Sequence, residues 1–152
     1  MTAIQDRIPD NHCYGCGPDN PLGMQIKSYW DGKESICTYD PRPEQCAGPT
    51  HYLYGGTIAS LIDCHCVCTA IATFYERDGF NVGEGPPIWC VTGRLTVSYL
   101  KPTQIDKPVE LRATVSECTD KKAILNCTVY SEGEATAEGE VVAIRVPNSW
   151  RA

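Results

Sequence analysis

The hydrophobic pattern of the chain contains one long apolar segment. Between residues 56 and 77, apolar side chains cover most of the circumference of a helical wheel instead of forming a single stripe. A helix that is apolar on nearly all sides is usually buried. The pattern therefore predicts a long helix, from about Gly56 to Arg77, that is surrounded by other elements.

Beyond residue 87 the apolar positions recur with a period of two. In the segment 89–100, polar residues alternate with Trp89, Val91, Leu95, Val97 and Tyr99. This alternation is typical of a half-buried strand. Similar patterns over 109–116, 123–131 and 136–146 predict an antiparallel meander, with a turn at 120–122.

Two shorter strands are predicted before the helix, Leu22–Trp30 and Ser35–Tyr39, because the Asp31-Gly32 pair between them is a hairpin signal. Glycines and prolines interrupt residues 1–21, which are predicted to form an irregular lead-in. The order of hairpin, one helix and three or four antiparallel strands predicts an α+β fold. The length of 152 residues predicts one domain spanning 1–152.

The charge balance narrows the classes of partner. A formal net charge of -6 argues against nucleic acid or an anionic membrane as the main partner. No apolar stretch follows Met1, and the most apolar segment contains Asp63 and His65, so we expect neither a secretory signal nor a membrane span. The sequence therefore predicts a cytoplasmic protein.

The ten cysteines are expected to be reduced, mostly buried thiols. Cys13-Tyr14-Gly15-Cys16 has half of a zinc-ribbon spacing, but no second Cys-x-x-Cys follows it. Neighbouring helix positions point to different faces, so we expect Cys64, His65, Cys66 and Cys68 to disperse. The sequence accordingly predicts no metal and a compact loop that packs two thiols.

Asp63 stands alone in the apolar segment. It is the only Asp, Glu, Lys or Arg between Gln45 and Tyr75. An ionised carboxylate beside a core is costly unless it has a role, which makes Asp63 a candidate catalytic group. The alternative is an acid that reaches solvent at an edge or caps a neighbouring backbone.

The glycine pair at the start of the helix is a candidate oxyanion site. The first N–H groups of a helix have no internal acceptor and lie at the positive end of its dipole, so those near Gly55 and Gly56 suit a developing oxyanion. Eight residues of helix separate Gly55 from Asp63 by about 12 Å. Because both must reach one reacting group, the site requires two antiparallel helices and thus at least a dimer.

Three stretches resemble the hotdog-fold acyl-CoA thioesterases, in the branch that holds the phenylacetate-pathway thioesterase. They are Tyr54-Gly55-Gly56 with Asp63 eight residues after the first glycine, Val91 to Pro102, and Cys13 to Ile26. The resemblance implies a hotdog fold, an antiparallel sheet wrapped around one long central helix. It also implies that the chain hydrolyses acyl thioesters without a cofactor.

The resemblance further implies a role for each matching residue. A glycine N–H at Gly55 or Gly56 binds the thioester oxygen, Asp63 from the partner subunit acts as base or nucleophile, and Thr92 positions water. The chain departs from the family at Tyr54, where a histidine is usual, and at Gly48, where some members have a second oxyanion donor. The candidates for substrate contacts are Tyr54, His51, Thr57 and Arg94.

The sequence thus predicts a homodimeric or homotetrameric hydrolase whose substrate is acyl-CoA or a similar acyl thioester. Two alternatives remain. One is a non-catalytic hotdog module that binds acyl-CoA or only dimerises. The other is a hotdog dehydratase, for which His51 and His65 are the candidate histidine partners of the acid.

Overall fold

The computed structural model describes residues 1–151 and contains one six-stranded sheet and one long helix. The helices and strands are α1 Ile4–Arg7, β1 Tyr29–Trp30, β2 Ser35–Tyr39, α2 Gly55–Arg77, β3 Cys90–Tyr99, β4 Val109–Cys118, β5 Lys122–Ser131 and β6 Glu134–Arg145. Short 3₁₀ turns at Pro43–Gln45 and Asn148–Arg151 complete the elements. The predicted helix is confirmed, and β4, β5 and β6 form the predicted meander, but β3 pairs with β6 instead of its sequence neighbour β4.

All neighbouring strands of the sheet are antiparallel, in the order β1-β2-β4-β5-β6-β3. The helix α2 packs against five of the six strands, β2 through β6. This is the α+β hotdog arrangement that the sequence predicted. Because β3 pairs only with β6, its other backbone edge has no neighbour within the described chain.

The core forms where α2 meets the sheet. The largest fully buried side chains include Leu61, Ile62, Phe74 and Tyr75 on the helix. At the closest approach, a Cβ on Gly139 of β6 would lie 2.6 Å from Cγ2 of Ile62. Only a residue without a side chain lets the helix come so near the sheet.

By length and composition, α2 would qualify as a membrane-crossing helix. The expectation that no segment is apolar enough for this is therefore wrong. In the fold, 67% of its most apolar window is buried, as in the core helix of a soluble protein. The sheet packs against this helix.

The predicted strand Leu22–Trp30 is wrong over most of its length, because only Tyr29–Trp30 pairs with β2. Residues 24–26 bond to the lead-in instead: the N–H of Met24 donates to the Tyr14 carbonyl, and the N–H of Ile26 to the Gly15 carbonyl. Gln25 between them has a φ of 60°, which no extended strand adopts. The apolar residues of this segment thus anchor the lead-in.

A β-bulge at Gly93 changes which side of β3 faces the helix. The pairing of β3 with β6 shifts register between Thr92 and Arg94. Thr92 and Leu95 consequently lie opposite Ala143 and Val141, two fully buried residues of β6. The predicted strict alternation is wrong at this point, since Thr92 and Leu95 share the helix-facing side although three positions separate them.

Candidate active site

Asp63 and Thr92 meet across the gap between α2 and β3. The Thr92 hydroxyl donates a hydrogen bond of 2.6 Å to Oδ1 of Asp63. Both residues line a cleft of about 340 Å³ whose walls come from α2, the start of β3 and the lead-in. The bulge at Gly93 makes this contact possible because it turns Thr92 toward the helix.

The environment of Asp63 favours its protonated form. Burial raises the pKa of the Asp63 carboxyl above its ordinary value, and the hydrogen bond from Thr92 offsets part of this effect. The carboxylate is half-buried, and Asp63 lines the cleft. A desolvated carboxylate with one fixed hydroxyl donor is suited to hold or accept a proton from water.

The start of α2 presents unpaired backbone donors. The N–H groups of Thr57 and Ile58 both donate to the Tyr54 carbonyl, at 3.0 and 3.2 Å. Within residues 1–151 the N–H groups of Gly55 and Gly56 have no acceptor, and the Tyr54 side chain gives no capping hydrogen bond. These two donors lie at the positive end of a 23-residue helix.

Two tyrosines flank this helix start. The Tyr54 ring lies over Gly56, where an added Cβ would come within 2.4 Å of a ring carbon. The Tyr99 hydroxyl donates a hydrogen bond of 2.6 Å to the Gly55 carbonyl. Tyr54 is 57% exposed and Tyr99 is 53% exposed, so both rings border open space.

Within one chain, the glycine donors and Asp63 remain apart. Both lie on the continuous helix α2, so eight residues separate Gly55 from Asp63 by about 12 Å. Thr92 is the only predicted catalytic residue that a single described chain brings into contact with Asp63. A complete constellation needs a second copy of the helix.

The predicted substrate-contact residues are scattered. Thr57 is buried in the first turn of α2, and Tyr54 lies beside it at the helix start. His51 is exposed in the preceding turn, where its ring lies 5.4 Å from the ring of Tyr52. Arg94 pairs with Val142 on the side of β3 that faces away from α2, so one chain does not bring it to Asp63.

His65 belongs to a buried polar network. Its ring is fully buried and lies 2.7 Å from the Ser28 hydroxyl and 3.1 Å from the Ser35 carbonyl. The bonds are consistent with Ser28 donating to Nδ1 and Nε2–H donating to Ser35, which is the neutral ring. Burial lowers the pKa of His65 to about 4. This histidine therefore holds the helix against β2 and has no bond to Asp63.

The lead-in packs two thiols, as predicted, but the sequence prediction missed that they meet cysteines of α2. Cys13 and Cys64 have their Sγ atoms 3.8 Å apart, and those of Cys16 and Cys68 are 3.6 Å apart. Thiol hydrogen bonds, the largest from Cys13, lower the pKa of Cys16. Cys66 does disperse, as predicted, but Cys64 and Cys68 are four residues apart and share one face of the helix. That i, i+4 spacing was the available signal.

The sequence and the structure were compared with known proteins, and the family match covers the residues of this site. Residues 50–138, which include the helix start, Asp63 and Thr92, match the Thioesterase superfamily. A search among curated proteins finds no match. A thioesterase superfamily protein of known structure from Shewanella loihica PV-4 is 32% identical, with a TM-score of 0.67, over 90% of this chain and 96% of that chain.

Two more distant structures share the fold. The E. coli PaaI protein from the phenylacetic acid degradation operon is 13% identical, with a TM-score of 0.65, over 82% of this chain and 81% of that one. A thioesterase from Haemophilus influenzae is 12% identical, also with a TM-score of 0.65, over 81% and 79%. Since the matched region covers more than half of the sequence, the chain belongs to the thioesterase superfamily.

Proposed function

We propose that the protein hydrolyses acyl-CoA or a similar acyl thioester to a carboxylic acid and a free thiol. The observation that carries the proposal is the hydrogen bond of 2.6 Å from Thr92 to a half-buried Asp63 at the edge of a cleft. Membership of the thioesterase superfamily supports the reaction class. In this reaction a water molecule adds its oxygen to the thioester carbonyl carbon, and the sulfur leaves as a thiol.

We assign the glycine N–H groups at the start of α2 to the thioester oxygen. Unpaired N–H groups at a helix start stabilise negative charge that develops on an oxygen, and Gly55 and Gly56 have such groups. Asp63 then removes a proton from the attacking water or attacks the carbonyl carbon itself. Thr92 bonds one carboxylate oxygen, and we assign the other to the reaction.

We further propose that Asp63 works with the helix start of a second subunit, in a homodimer or homotetramer. The separation of about 12 Å along α2 requires this arrangement. The surface supports it: β3 is an edge strand, and Leu95 and Tyr99 on its helix-facing side are 36% and 53% exposed. An unpaired edge with exposed apolar side chains is a natural surface for a second copy.

A direct assay tests the reaction. Purified protein is incubated with a panel of acyl-CoAs, and released coenzyme A is measured by chromatography because the cysteines of the protein interfere with thiol reagents. Asp63→Asn removes the charge and the proton acceptor, so turnover should fall at least about a hundredfold. Its melting temperature should be equal or higher, because a desolvated charge has been removed.

The matched control is Asp106→Asn, which changes an exposed acid in the loop before β4 and should leave turnover intact. A destabilised but fully active Asp63→Asn protein would contradict the catalytic assignment. The second candidate function, an acyl-CoA-binding module without turnover, would then gain support. The Tyr54 ring over Gly56 favours that candidate, because it covers part of the helix start.

The dehydratase alternative has less support. Such an enzyme needs a histidine close to the acid. His65 has its ring bonded to Ser28 and Ser35 on the far side of the helix, and His51 lies in the turn before the helix start. We therefore retain hydrolysis as the proposed reaction.

A further inference from the structure

Four cysteines from two distant parts of the sequence meet at the wall of the cleft. Cys13 and Cys16 come from the lead-in, whereas Cys64 and Cys68 come from successive turns of α2. The Sγ atoms of Cys13, Cys16 and Cys64 all lie within 4.8 Å of one another, and Cys68 contacts Cys16 at 3.6 Å. We name these residues the thiol cluster.

We propose that the thiol cluster is a structural zinc site, with Cys13, Cys16 and Cys64 as ligands and Cys68 as the fourth. The proposal is independent of thioester hydrolysis. It differs from the sequence expectation of no metal because Cys64-x-x-x-Cys68 supplies the second ligand pair that a search for Cys-x-x-Cys does not find.

The spacing of the Cys13, Cys16 and Cys64 sulfurs fits a single ion, and Cys68 contacts Cys16 beside them. In a tetrahedral zinc site with Zn–S bonds of about 2.3 Å, neighbouring sulfurs lie about 3.8 Å apart. In the thiol cluster the Cys13–Cys64 and Cys16–Cys68 sulfur distances are 3.8 and 3.6 Å. An iron–sulfur cluster places several metal atoms between its thiolates and would hold them farther apart.

The loop between the first two ligands is shaped to meet the helix. A Cβ on Gly15 would lie 2.3 Å from Sγ of Cys64, so only glycine allows the loop to approach this closely. The N–H of Gly17 donates to the Cys13 carbonyl at 2.8 Å, and the N–H of Cys13 donates to the Asn11 side chain at 3.2 Å. These bonds hold the two loop thiols on one side of a tight turn.

The four ligand atoms are all cysteine sulfurs, and this determines which metal ion they favour. Thiolate ligands favour zinc over magnesium or calcium, which prefer oxygen ligands. Cys13 is exposed and Cys64 is half-buried, so an ion has a path from solvent, while Cys16 and Cys68 are buried. With all four positions taken by sulfur, the ion has no open position for substrate and acts by fixing structure.

A zinc site would also explain how an irregular segment is held in place. Residues 9–28 contain no helix or strand, yet they form one wall of the cleft that contains Asp63. Long segments without regular structure are uncommon in compact domains unless something anchors them. A metal that joins this segment to α2 closes a long loop, and cross-links that close long loops are expected to stabilise a fold most.

The test measures metal and needs no activity. The full-length protein is purified under reducing conditions without chelator, and its zinc content is determined by mass spectrometry. The apo protein is then titrated with Co²⁺, which absorbs strongly in the visible range in tetrahedral thiolate sites. We expect one equivalent of zinc per chain, and a cobalt spectrum that added zinc abolishes.

Cys13→Ser and Cys64→Ser should each weaken zinc binding at least about a hundredfold. Cys118→Ser is the matched control, because this half-buried thiol at the end of β4 bonds the Thr119 carbonyl outside the cluster and should retain full binding. Circular dichroism shows whether each variant is folded. A fourth variant, Cys68→Ser, should bind cobalt with a weaker and shifted spectrum.

Two results would overturn the proposal. One is a fully reduced wild-type protein that binds neither zinc nor cobalt. The other is a Cys13–Cys64 or Cys16–Cys68 disulfide in protein purified without oxidant, which peptide mass mapping would reveal and which would make the cluster a redox pair. Retention of zinc by a folded Cys13→Ser, Cys64→Ser double variant would place the ion elsewhere and would equally contradict the assignment.

Discussion

Thr92 on β3 donates a hydrogen bond of 2.6 Å to Asp63 on α2, and the bulge at Gly93 gives the threonine this orientation. A regular strand would leave Thr92 and Leu95 on opposite sides of the sheet. The extra residue places the polar side chain beside the acid and the apolar one beside the exposed edge. A local irregularity of one residue thus determines both the candidate site and the candidate interface.

Replacing Thr92 tests this contact. Thr92→Val removes the hydroxyl but keeps the shape, and a hydrogen bond to a charged group contributes about 1.5–3 kcal/mol, so kcat should fall about 10- to 150-fold. Thr92→Ser keeps the donor and should restore most of the lost rate. If the serine variant is as slow as the valine variant, the methyl packing of Thr92 matters and its hydroxyl does not.

The exposed edge strand predicts an even-numbered oligomer. Leu95→Glu places a charge on the helix-facing side of β3 and should convert the protein to monomers, with loss of turnover. Leu22→Glu is the control, because Leu22, directly after the lead-in, is 82% exposed. Light scattering at several concentrations gives the mass. A monomeric wild-type protein that still hydrolyses thioesters would rule out a site shared between subunits.

The cysteines are predicted to be free. All ten are thiols in the structure, and six of them are buried. Titration of the denatured, unreduced protein in the presence of a chelator should find nearly ten thiols per chain. Detection of several disulfides in freshly prepared protein would contradict the expectation of a reducing cytoplasmic environment.

The ion pair at the end of α2 predicts a pH effect on stability. Arg145 bonds the Asp78 carboxylate at 2.7 Å, and this hydrogen bond is the main reason that the pKa of Asp78 lies below its usual value. An acid whose pKa is lower in the folded state stabilises that state at pH values above its unfolded-state pKa of about 3.9. This stabilisation is lost as the pH falls through the folded-state pKa.

Asp78→Asn should therefore lower the urea midpoint at pH 7 but not at a pH below both pKa values. Asp40→Asn, at an exposed acid, is the control. It should leave the difference in urea midpoint between the two pH values unchanged. An equal effect of Asp78→Asn at both pH values would show that its charge is not the cause.

Much of the fold could be predicted because its determinants are local. The all-round apolarity of residues 56–77 requires burial, and the Asp31-Gly32 pair specifies a hairpin whose turn is closed by N–H groups of Lys33 and Glu34 that donate to the Asp31 side chain. Asp63 could be selected as a candidate site residue for the same reason, because its isolation in an apolar segment is visible in the sequence.

The parts that were wrong depend on contacts between distant residues. Met24 and Ile26 have apolar side chains suited to a strand, but their N–H groups bond to the lead-in, which no local pattern reveals. The bulge at Gly93 follows from pairing with β6, and a glycine within a strand is only a weak sign of it. Cys64 and Cys68 contact Cys13 and Cys16, and that contact depends on the path of the lead-in, which no local pattern shows.

The position of β3 in the sheet has a consequence for synthesis on the ribosome. Its sole partner, β6, begins at Glu134, about 35 residues after β3 ends at Tyr99. At about 5–20 residues per second, β3 emerges several seconds before the strand that covers one of its edges. During that interval an apolar strand is available to any neighbouring nascent chain, so chaperone binding at residues 90–99 would protect yield.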